Sequence, residues 1–515
     1  MTLLLWLLGI AAVFAAASSL ALYSYGRWAR QALGAPSHAL PKSDDATPLD
    51  RLIVPLMARH PGASGLAHVF DNRAAFALRL ASVREAGRSL DLASYIWRDD
   101  TAGRLLAREL IAAADRGVRV RLLLDDVNVQ GFDPKFRALN GHPGIEVRLF
   151  NPVRNRGGAL RRGLEMLLMA VRFNRRLHAK MWIADGRVAL TGGRNIGNEY
   201  FGAGPTRKRP VRDADMLMAG PLAEACEALF DSYWNSDQAL PMAAFWRDYE
   251  AGLDRFRLRL DENAAAPAAQ ALMAGTEGAA VLPEGLRWTD RAQLVADPPE
   301  KALGRDRDGW MPARLMQAAG SAERRVRLIT PYLVPGREGM RALLALTEAG
   351  VRVEVLTNAL SATNHTIVHG AYRRYRRPLL AAGVRLLEFA APDRPEGRGE
   401  PPPGGLRRGE MLHSKGFTVD GRLGFVGSFN FDLRSAWLNI EMGVLFDDPD
   451  LVAELDAEFD ACADPARAWA LGLSKGRLFW TPGPAPGRCH KDPGARAFRR
   501  GTSWLIGHLP IHSYL

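Results

Sequence analysis

The sequence predicts an α/β protein of two similar domains, each a mostly parallel central sheet flanked by helices. The two are related by pseudo-twofold symmetry and preceded by a transmembrane helix. Three observations carry this reading. One 18-residue pattern occurs twice, at 178–195 and 413–430. Helical periodicity alternates with short apolar runs in both halves, as in βαβ units. Residues 1–26 carry no charged side chain.

Taken in order, Leu3 to Leu22 is almost wholly apolar, and about 20 such residues span a bilayer. Arg27 and Arg30 follow, with Tyr23, Tyr25 and Trp28 at the interfacial level. The positive-inside rule then places the rest of the chain in the cytoplasm, behind a single-pass anchor. Ala15-Ala16-Ala17 offers a signal-peptidase site, but no Lys or Arg precedes the apolar run as a signal peptide requires. Residues 1–26 are therefore read as a retained anchor and 27–50 as a polar, proline-bearing linker.

The first domain is expected over 51–280, with a helical pattern at Ala102–Asp115 and a buried strand at Val118–Leu124. An Ala-rich stretch around 263–280 marks the join. The second domain, 281–470, repeats the logic. Strand Arg325–Thr330, helix Gly339–Ala349, strand Val351–Thr357 and helix His369–Ala382 succeed one another, and a Pro/Gly-rich loop, Pro392–Gly405, precedes the second motif. Residues 471–515 form a tail with a candidate interfacial segment, Trp504–Ile511, too short to span a membrane.

Composition sets bounds without choosing a function. At 515 residues, 47% hydrophobic and 24% charged, the chain can bury two full cores. Cys226, Cys462 and Cys489 are odd in number and widely spaced, so no disulfide framework is expected and a reducing compartment fits. The charge of +12 favours anionic headgroups or nucleic acid. Arginine on the solvated faces of an Ala/Arg/Gly-rich protein gives the same number.

The repeated pattern carries the chemistry. Its first copy is His178-Ala-Lys180, then Asp185-Gly186, then Gly192-Gly193-Arg194-Asn195. Its second is His413-Ser-Lys415, Asp420-Gly421, Gly427-Ser428-Phe429-Asn430, at identical spacings. Asp-Gly between two short apolar runs predicts a hairpin. Strand period two puts each histidine and its lysine on one face. The returning strand brings the asparagine to the same end. Imidazole attacks phosphorus, while ammonium and amide donors hold non-bridging oxygens, so the set suits a phosphodiester.

Two such half-sites make one centre, in which one histidine attacks and the other serves as acid and then base. Lys180, Asn195, Lys415, Ser428 and Asn430 are the candidate phosphate ligands. Asp213 and Glu441, each after its Gly-x-x-Asn and before an apolar strand, are candidates to orient the rings. Asp185 and Asp420 complete the candidate catalytic set by motif, but read more naturally as turn residues.

These motifs resemble the phospholipase D superfamily, whose signature is His-x-Lys, four residues, Asp, six residues, Gly-Ser-x-Asn. Within it the chain is most similar to bacterial cardiolipin synthases, in particular the C type. The segments that carry this are Tyr95-Ile-Trp97, Gly117 to Asp126, His142 to Pro152, Asn195 to Phe201, Thr330 to Gly336, Thr357-Asn358, and Gly427 to Glu441. The likeness covers roughly 50–470. Gly193 replaces the family's serine, and Asn198 and Asn364 stand where aspartate is common.

The resemblance implies metal- and cofactor-free phosphatidyl transfer through a phosphohistidine at the inner membrane of a bacterium. Phosphatidylglycerol would be the acceptor, and phosphatidylethanolamine or a second phosphatidylglycerol the donor. It leans to His178 as nucleophile; pseudo-symmetry allows His413. The alternative is phospholipase D hydrolysis to phosphatidic acid, and behind it a phosphodiesterase or nuclease. No nucleic-acid partner is expected beside phospholipids and the membrane, and intact histidines and lysines argue against a purely lipid-binding role.

Two further segments bear on lipid. Over Leu160–Phe173, residues 160, 164, 167, 168 and 171 form an apolar helical stripe beside Arg156, Arg161 and Arg162. It reads either as an interfacial helix or as one packed on its own domain. Tyr372, Arg373, Tyr375 and Arg376 read as headgroup-pocket lining or as an exposed basic face. His508 and His512 have helical spacing, but Pro510 and the lack of a third ligand argue against a metal site.

Overall fold

Each copy of the repeated pattern forms a hairpin inside a nine-stranded sheet, one sheet per half of the chain. The computed structural model describes residues 2–131, 133–204, 208–246, 252–305, 307–390, 409–481 and 487–509. The loop expected at Pro392–Gly405 and residues 510–512 lie outside them.

In the first half the strands are β1 (Ser64–Val69), β2 (Ser89–Ser94), β3 (Arg119–Asp125), β4 (Ile145–Phe150), β5 (Met181–Ala184), β6 (Val188–Gly192), β7 (Val211–Arg212), β8 (Asp215–Ala219), β9 (Ala239–Pro241) and β10 (Arg287–Thr289). In the second half come β11 (Ala292–Ala296), β12 (Arg325–Ile329), β13 (Arg352–Asn358), β14 (Arg385–Phe389), β15 (Met411–Leu412), β16 (Gly416–Val419), β17 (Leu423–Gly427), β18 (Met442–Asp447), β19 (Ala468–Ser474) and β20 (Arg477–Thr481). The first sheet runs β10-β1-β8-β6-β5-β2-β3-β4-β9 and the second β11-β18-β17-β16-β12-β13-β14-β19-β20. From β1 and β11 onward the two orders correspond strand for strand.

The sheets are mixed rather than mostly parallel. Among the described strands of these two nine-stranded sheets, only β2-β3-β4 and β12-β13-β14 pair in parallel. Parallel neighbours need a crossover, supplied here by helices Thr101–Asp115 and Asp133–Asn140 and by Gly336–Glu348 and Thr366–Ala381. Hairpins β5-β6 and β16-β17 pair antiparallel, and β8 and β18 return beside them. Helix–strand alternation along the chain revealed the crossovers but not how many strands turn back directly.

Helix Thr101–Asp115 shows why a segment folds where it does. The Asp100 carboxylate caps it by accepting the Gly103 N–H at 3.1 Å, which typically stabilises a helix by about 1 kcal/mol. Leu105, Leu106, Leu110 and Ile111 form its buried stripe, each burial worth about 1.5–3 kcal/mol. Gly117, at φ 93°, supplies the left-handed residue that turns the chain toward β3.

Helices Leu253–Ala265 and Pro267–Met273, in the Ala-rich region, pack on this helix. The chain then joins the first sheet as β10 and the second as β11. The sheets share one apolar core, in which Leu177, Met216, Leu412, Val426, Ile440 and Met442 meet. Arg212 also binds Glu458 across the halves through two hydrogen bonds of 2.7 Å. At the end of the chain β20 extends the second sheet, and helix Ala497–His508 lies along helix Thr366–Ala381.

The N-terminal helix spans Thr2–Ala32, and its apolar stretch is exposed. It continues through residues 27–32 and packs its last turns on the first half. Tyr25 Oη donates to the Pro152 carbonyl at 2.6 Å, and Trp28 meets Phe245 edge-on. The following residues are strapped down, with Ala35 accepting from Arg148 and Lys42 bound to Glu227, both at 2.6 Å.

Candidate active site

The hairpin turn explains the motif's aspartates. Asp185 and Gly186 have φ 53° and 63°, and Asp420 and Gly421 have 54° and 73°, a left-handed pair that Asp-Gly tolerates. Asp185 accepts the backbone N–H groups of Gly87, Arg88 and Ser89, and Asp420 those of Glu323, Arg324 and Arg325, all at 2.7–3.0 Å. Each aspartate thus ties its turn to the start of β2 or β12. Both sit at the end of the hairpin away from the histidines and take no part in the centre.

At the other end, backbone bonds place the histidines. The His178 N–H donates to the Ile440 carbonyl at 2.9 Å, and the His413 N–H to the Arg212 carbonyl at 2.8 Å. Short parallel pairings, Leu177 with Ile440 and β15 with β7, run alongside. The residue after each carbonyl is a carboxylate, so the pairing crosses the halves. His178 Nδ1 lies 2.8 Å from Glu441 Oε2, and His413 Nδ1 lies 2.6 Å from Asp213 Oδ2. A carboxylate at Nδ1 places the N–H there and leaves Nε2 with its lone pair free.

The segment before each histidine is held from below. Asp125, the last residue of β3, accepts the Leu177 N–H at 2.9 Å. Asn358, the last of β13, accepts the Leu412 N–H at 3.0 Å and donates to the Leu412 carbonyl at 2.8 Å. The sequence reading did not assign these two residues a role. Their matching place at the ends of equivalent strands was the signal for it.

The two carboxylates are braced differently. Glu441 accepts from Ser428 Oγ at 2.5 Å and Ser435 Oγ at 2.7 Å, so Ser428, expected among the phosphate ligands, gives its one proton to the carboxylate instead. Its backbone N–H donates to Asp297, which binds the buried Lys301 at 2.7 Å. Asp213 accepts from the Ala214 N–H at 2.9 Å, and Gly193 fills the place of Ser428. A Cβ on Gly193 would stand 2.1 Å from Asp213 Oδ1, so the missing serine is a steric requirement. Arg194 is buried, donating to the carbonyls of Val69 and Asp213 at 2.6 and 2.7 Å.

Lys180 and Lys415 are buried, and each ammonium donates to the carbonyl of the histidine two residues before it. Lys415 Nζ also lies 2.8 Å from His413 Nδ1. Burial lowers Lys180 to about 7 and Lys415 to about 8, although Glu441 and Asp213 oppose the shift. Burial likewise pushes both histidines down to about 4. Burial would raise Glu441, but His178, Lys180 and Ser428 outweigh it and hold it at about 2. Lys415 acts on His178 and Lys180 on His413, so the half-sites form one electrostatic centre.

Tyr95 packs edge-on against His178 and Tyr200 against His413, at 4.8 and 5.5 Å between centroids. Both line a cleft of about 1100 Å³ that is rimmed by Arg98, Arg496 and Arg499. The last two come from the C-terminal segment, so the expected tail builds one wall of the cleft. Asn364 also faces it and accepts from Tyr332 Oη at 2.7 Å. Asn195 Nδ2 meets Tyr200 Oη at 2.9 Å, and the buried Oδ1 atoms of Asn195 and Asn430 have no partner among the described residues. A tyrosine hydroxyl donates as readily as it accepts. Turning the Asn195 amide therefore keeps that bond and aims the NH₂ at the same space.

Of the four residues read as pocket lining or an exposed basic face, Tyr372 and Arg376 are buried and Arg373 and Tyr375 half-buried, so they form no exposed face. Arg373 and Arg376 line one cleft and Tyr375 another, neither of which includes Tyr95 or Tyr200. His369, Glu388 and Asp492 converge within ion-binding distance of one another. The Arg376 guanidinium fills their middle, donating to both acids at 2.8 Å.

Residues 80–234 and 315–463 match the family described as cardiolipin synthase, PLD-like domain. Cardiolipin synthase C of Escherichia coli strain K12 is 37% identical over 89% of this chain and 98% of its own length. Cardiolipin synthase A of Pseudomonas entomophila is 27% identical over 78% of this chain and 68% of its own length. The solved phosphatidylserine synthase of Haemophilus influenzae Rd KW20 is similar in fold, with a TM-score of 0.55 at 14% identity. That likeness covers 79% of this chain and 87% of that one.

Proposed function

The chain belongs to the cardiolipin synthase family of phospholipase D-like proteins, and from that premise we propose how its own residues perform phosphatidyl transfer. The protein is a cardiolipin synthase-like phosphatidyltransferase associated with the membrane. The observation that carries the mechanism is the pair of buried histidines, each held at Nδ1 by a carboxylate from the opposite half.

His178 Nε2 attacks the donor phosphorus, and the phosphorus–oxygen bond to the headgroup alcohol breaks. His413 gives its Nε2 proton to the departing oxygen. The acceptor hydroxyl of phosphatidylglycerol then enters, His413 takes its proton, and the new phosphorus–oxygen bond replaces the phosphorus–nitrogen bond. Lys180, Lys415, Asn195 and Asn430 hold the non-bridging oxygens, while Glu441, braced by Ser428, and Asp213 orient the rings. Burial favours the neutral form of both imidazoles, as the nucleophile requires. The phosphodiester anion favours the protonated acid, so substrate binding separates the two roles.

The donor is phosphatidylethanolamine or a second phosphatidylglycerol. The anchor crosses the inner membrane once, with Arg27 and Arg30 and both catalytic halves on the cytoplasmic side. Membranes carrying the protein are incubated with labelled phosphatidylglycerol, with and without phosphatidylethanolamine, and the lipids resolved. Cardiolipin that disappears in His178→Ala is the expected result. Phosphatidic acid alone would make the enzyme a hydrolase.

A further inference from the structure

Helix Ala159–Leu168 contains no buried residue. Its inner side is nevertheless well fixed. The Glu165 carboxylate accepts the N–H groups of Arg154 and Asn155 at 2.8 and 2.9 Å. Met166 and Leu168 rest on the cluster formed by Tyr25, Ala29, Met169 and Phe173. Its outer side presents Leu160, Leu164 and Leu167, which at 100° per residue fall within about 60° of one another. Val171, in the short helix Ala170–Phe173, follows them. These four side chains are 88%, 55%, 58% and 79% exposed. Among the described residues nothing buries the stripe, and contiguous exposed apolar surface marks an interaction site.

The place of the stripe names its occupant. Arg172, beside Val171, lies over the Tyr25 ring at 4.4 Å, and Phe173 meets the same ring at 6.0 Å. Tyr25 follows Leu22, the last residue of the apolar run, by about 5 Å of helix rise. The Val171 end of the stripe therefore lies at the level where the N-terminal helix leaves the bilayer. Arg27 and Arg30, two and five residues beyond Tyr25 on the same helix, and Arg172 on its ring bring positive charge to that level, as anionic headgroups favour.

We propose that helix Ala159–Leu168, together with Val171, is a second membrane contact that lies in the headgroup layer of an anionic bilayer. Leu160, Leu164, Leu167 and Val171 enter the acyl boundary. From Val171 the chain runs directly to His178, so this contact fixes the height of the centre above the surface that supplies its lipids. The inference rests on the membrane association of the N-terminal helix and not on the reaction assigned above.

The test uses full-length Leu164→Cys carrying an environment-sensitive dye, with Cys489→Ser to remove the one cysteine that is not buried. The protein is placed in vesicles of phosphatidylethanolamine and phosphatidylglycerol. The expected result is blue-shifted emission that is lost when lipids bearing a quencher near the glycerol backbone are included. Water-like emission overturns the proposal. So does blue-shifted emission that lipid quenchers leave untouched and that grows with protein density, which would assign the stripe to a second copy. This readout needs no turnover and stands or falls apart from the catalytic reading.

A second readout separates docking from folding. Leu164→Asp with Leu167→Asp should lower turnover on vesicles at least about tenfold, since burying one leucine is worth more than that in partitioning. Turnover on monomeric short-chain phospholipid should be retained. Equal loss on both substrates overturns the proposal.

Discussion

Gly193 and Asp213 are in such close register that a single added carbon on the glycine would stand 2.1 Å from a carboxylate oxygen. In the other half Ser428 occupies the equivalent place and donates to Glu441. Serine goes with glutamate and glycine with aspartate, and each combination brings a carboxylate to a histidine. Restoring the family's serine by Gly193→Ser should therefore lower activity, by up to about 10³-fold if Asp213 is displaced from His413. Adding Asp213→Glu should recover part of the loss. Equal or higher activity in Gly193→Ser alone would refute this account.

Glu441→Gln and Asp213→Asn keep shape while removing charge from Nδ1. Each should lower turnover by about 10³- to 10⁴-fold. Glu441→Gln should suppress trapped phosphohistidine from a substrate with a good leaving group, because it acts on the attacking ring. Asp213→Asn should leave that trapping largely intact, since such a substrate needs no acid. The opposite pattern would make His413 the nucleophile.

The pH profile of turnover should be bell-shaped. His178 must be neutral to attack, and burial pushes it down to about 4, so the acid limb lies near there. Lys180 and Lys415 must be charged to hold phosphate, and at about 7 and 8 they lose their protons as pH rises. The alkaline limb should then lie no higher than 7–8, since the proton that His413 donates is lost on the same side, and Lys180→Arg, if active, should move upward the part that the lysine sets. Activity that stays level to pH 10 would exclude lysine titration as its cause.

Asp185→Ala should destabilise the fold by about 2–4 kcal/mol, since it strips three half-buried or buried backbone N–H groups of their acceptor, and Asp420→Ala by less, because water reaches the N–H groups it frees. Turnover per folded molecule should change little. Burial would raise the Asp420 carboxyl, but the amides of Glu323, Arg325 and Arg324 lower it overall. Its contribution is present above the unfolded carboxylate pKa and is lost as pH falls through the lower folded value. Thermal unfolding of Asp420→Ala and the parent should therefore converge in acid.

Gly370 faces Ile506, and a Cβ there would lie 2.8 Å from the isoleucine. Gly370→Val should push helix Ala497–His508 off helix Thr366–Ala381 and disturb the wall that carries Arg496 and Arg499. KM for anionic acceptor lipid should rise several-fold, with less effect on single-turnover phosphohistidine formation. An unchanged KM would show that this wall plays no part in acceptor binding.

Much of this was legible in the chain. The paired motifs announced two equivalent hairpins because Asp-Gly, strand periodicity and spacing are local properties. Sequence spacing could not reveal that Glu441 serves His178 and Asp213 serves His413, since that depends on backbone pairing across the halves. Gly193 read only as a replacement of the family's serine, and the packing shows it as a required absence. The stripe at 160–171 was visible, but its exposure depended on where the N-terminal helix settles.

The crossed histidine–carboxylate pairs have a consequence for the ancestry of the chain. A duplicated unit ordinarily leaves one copy free to decay while the other retains the activity. Here neither copy owns a complete site, because each lends its acid to its twin. Loss in one is a loss in both, and two separately made halves would be inert until they found each other. Each half thus depends on the other for the carboxylate that makes its own histidine competent.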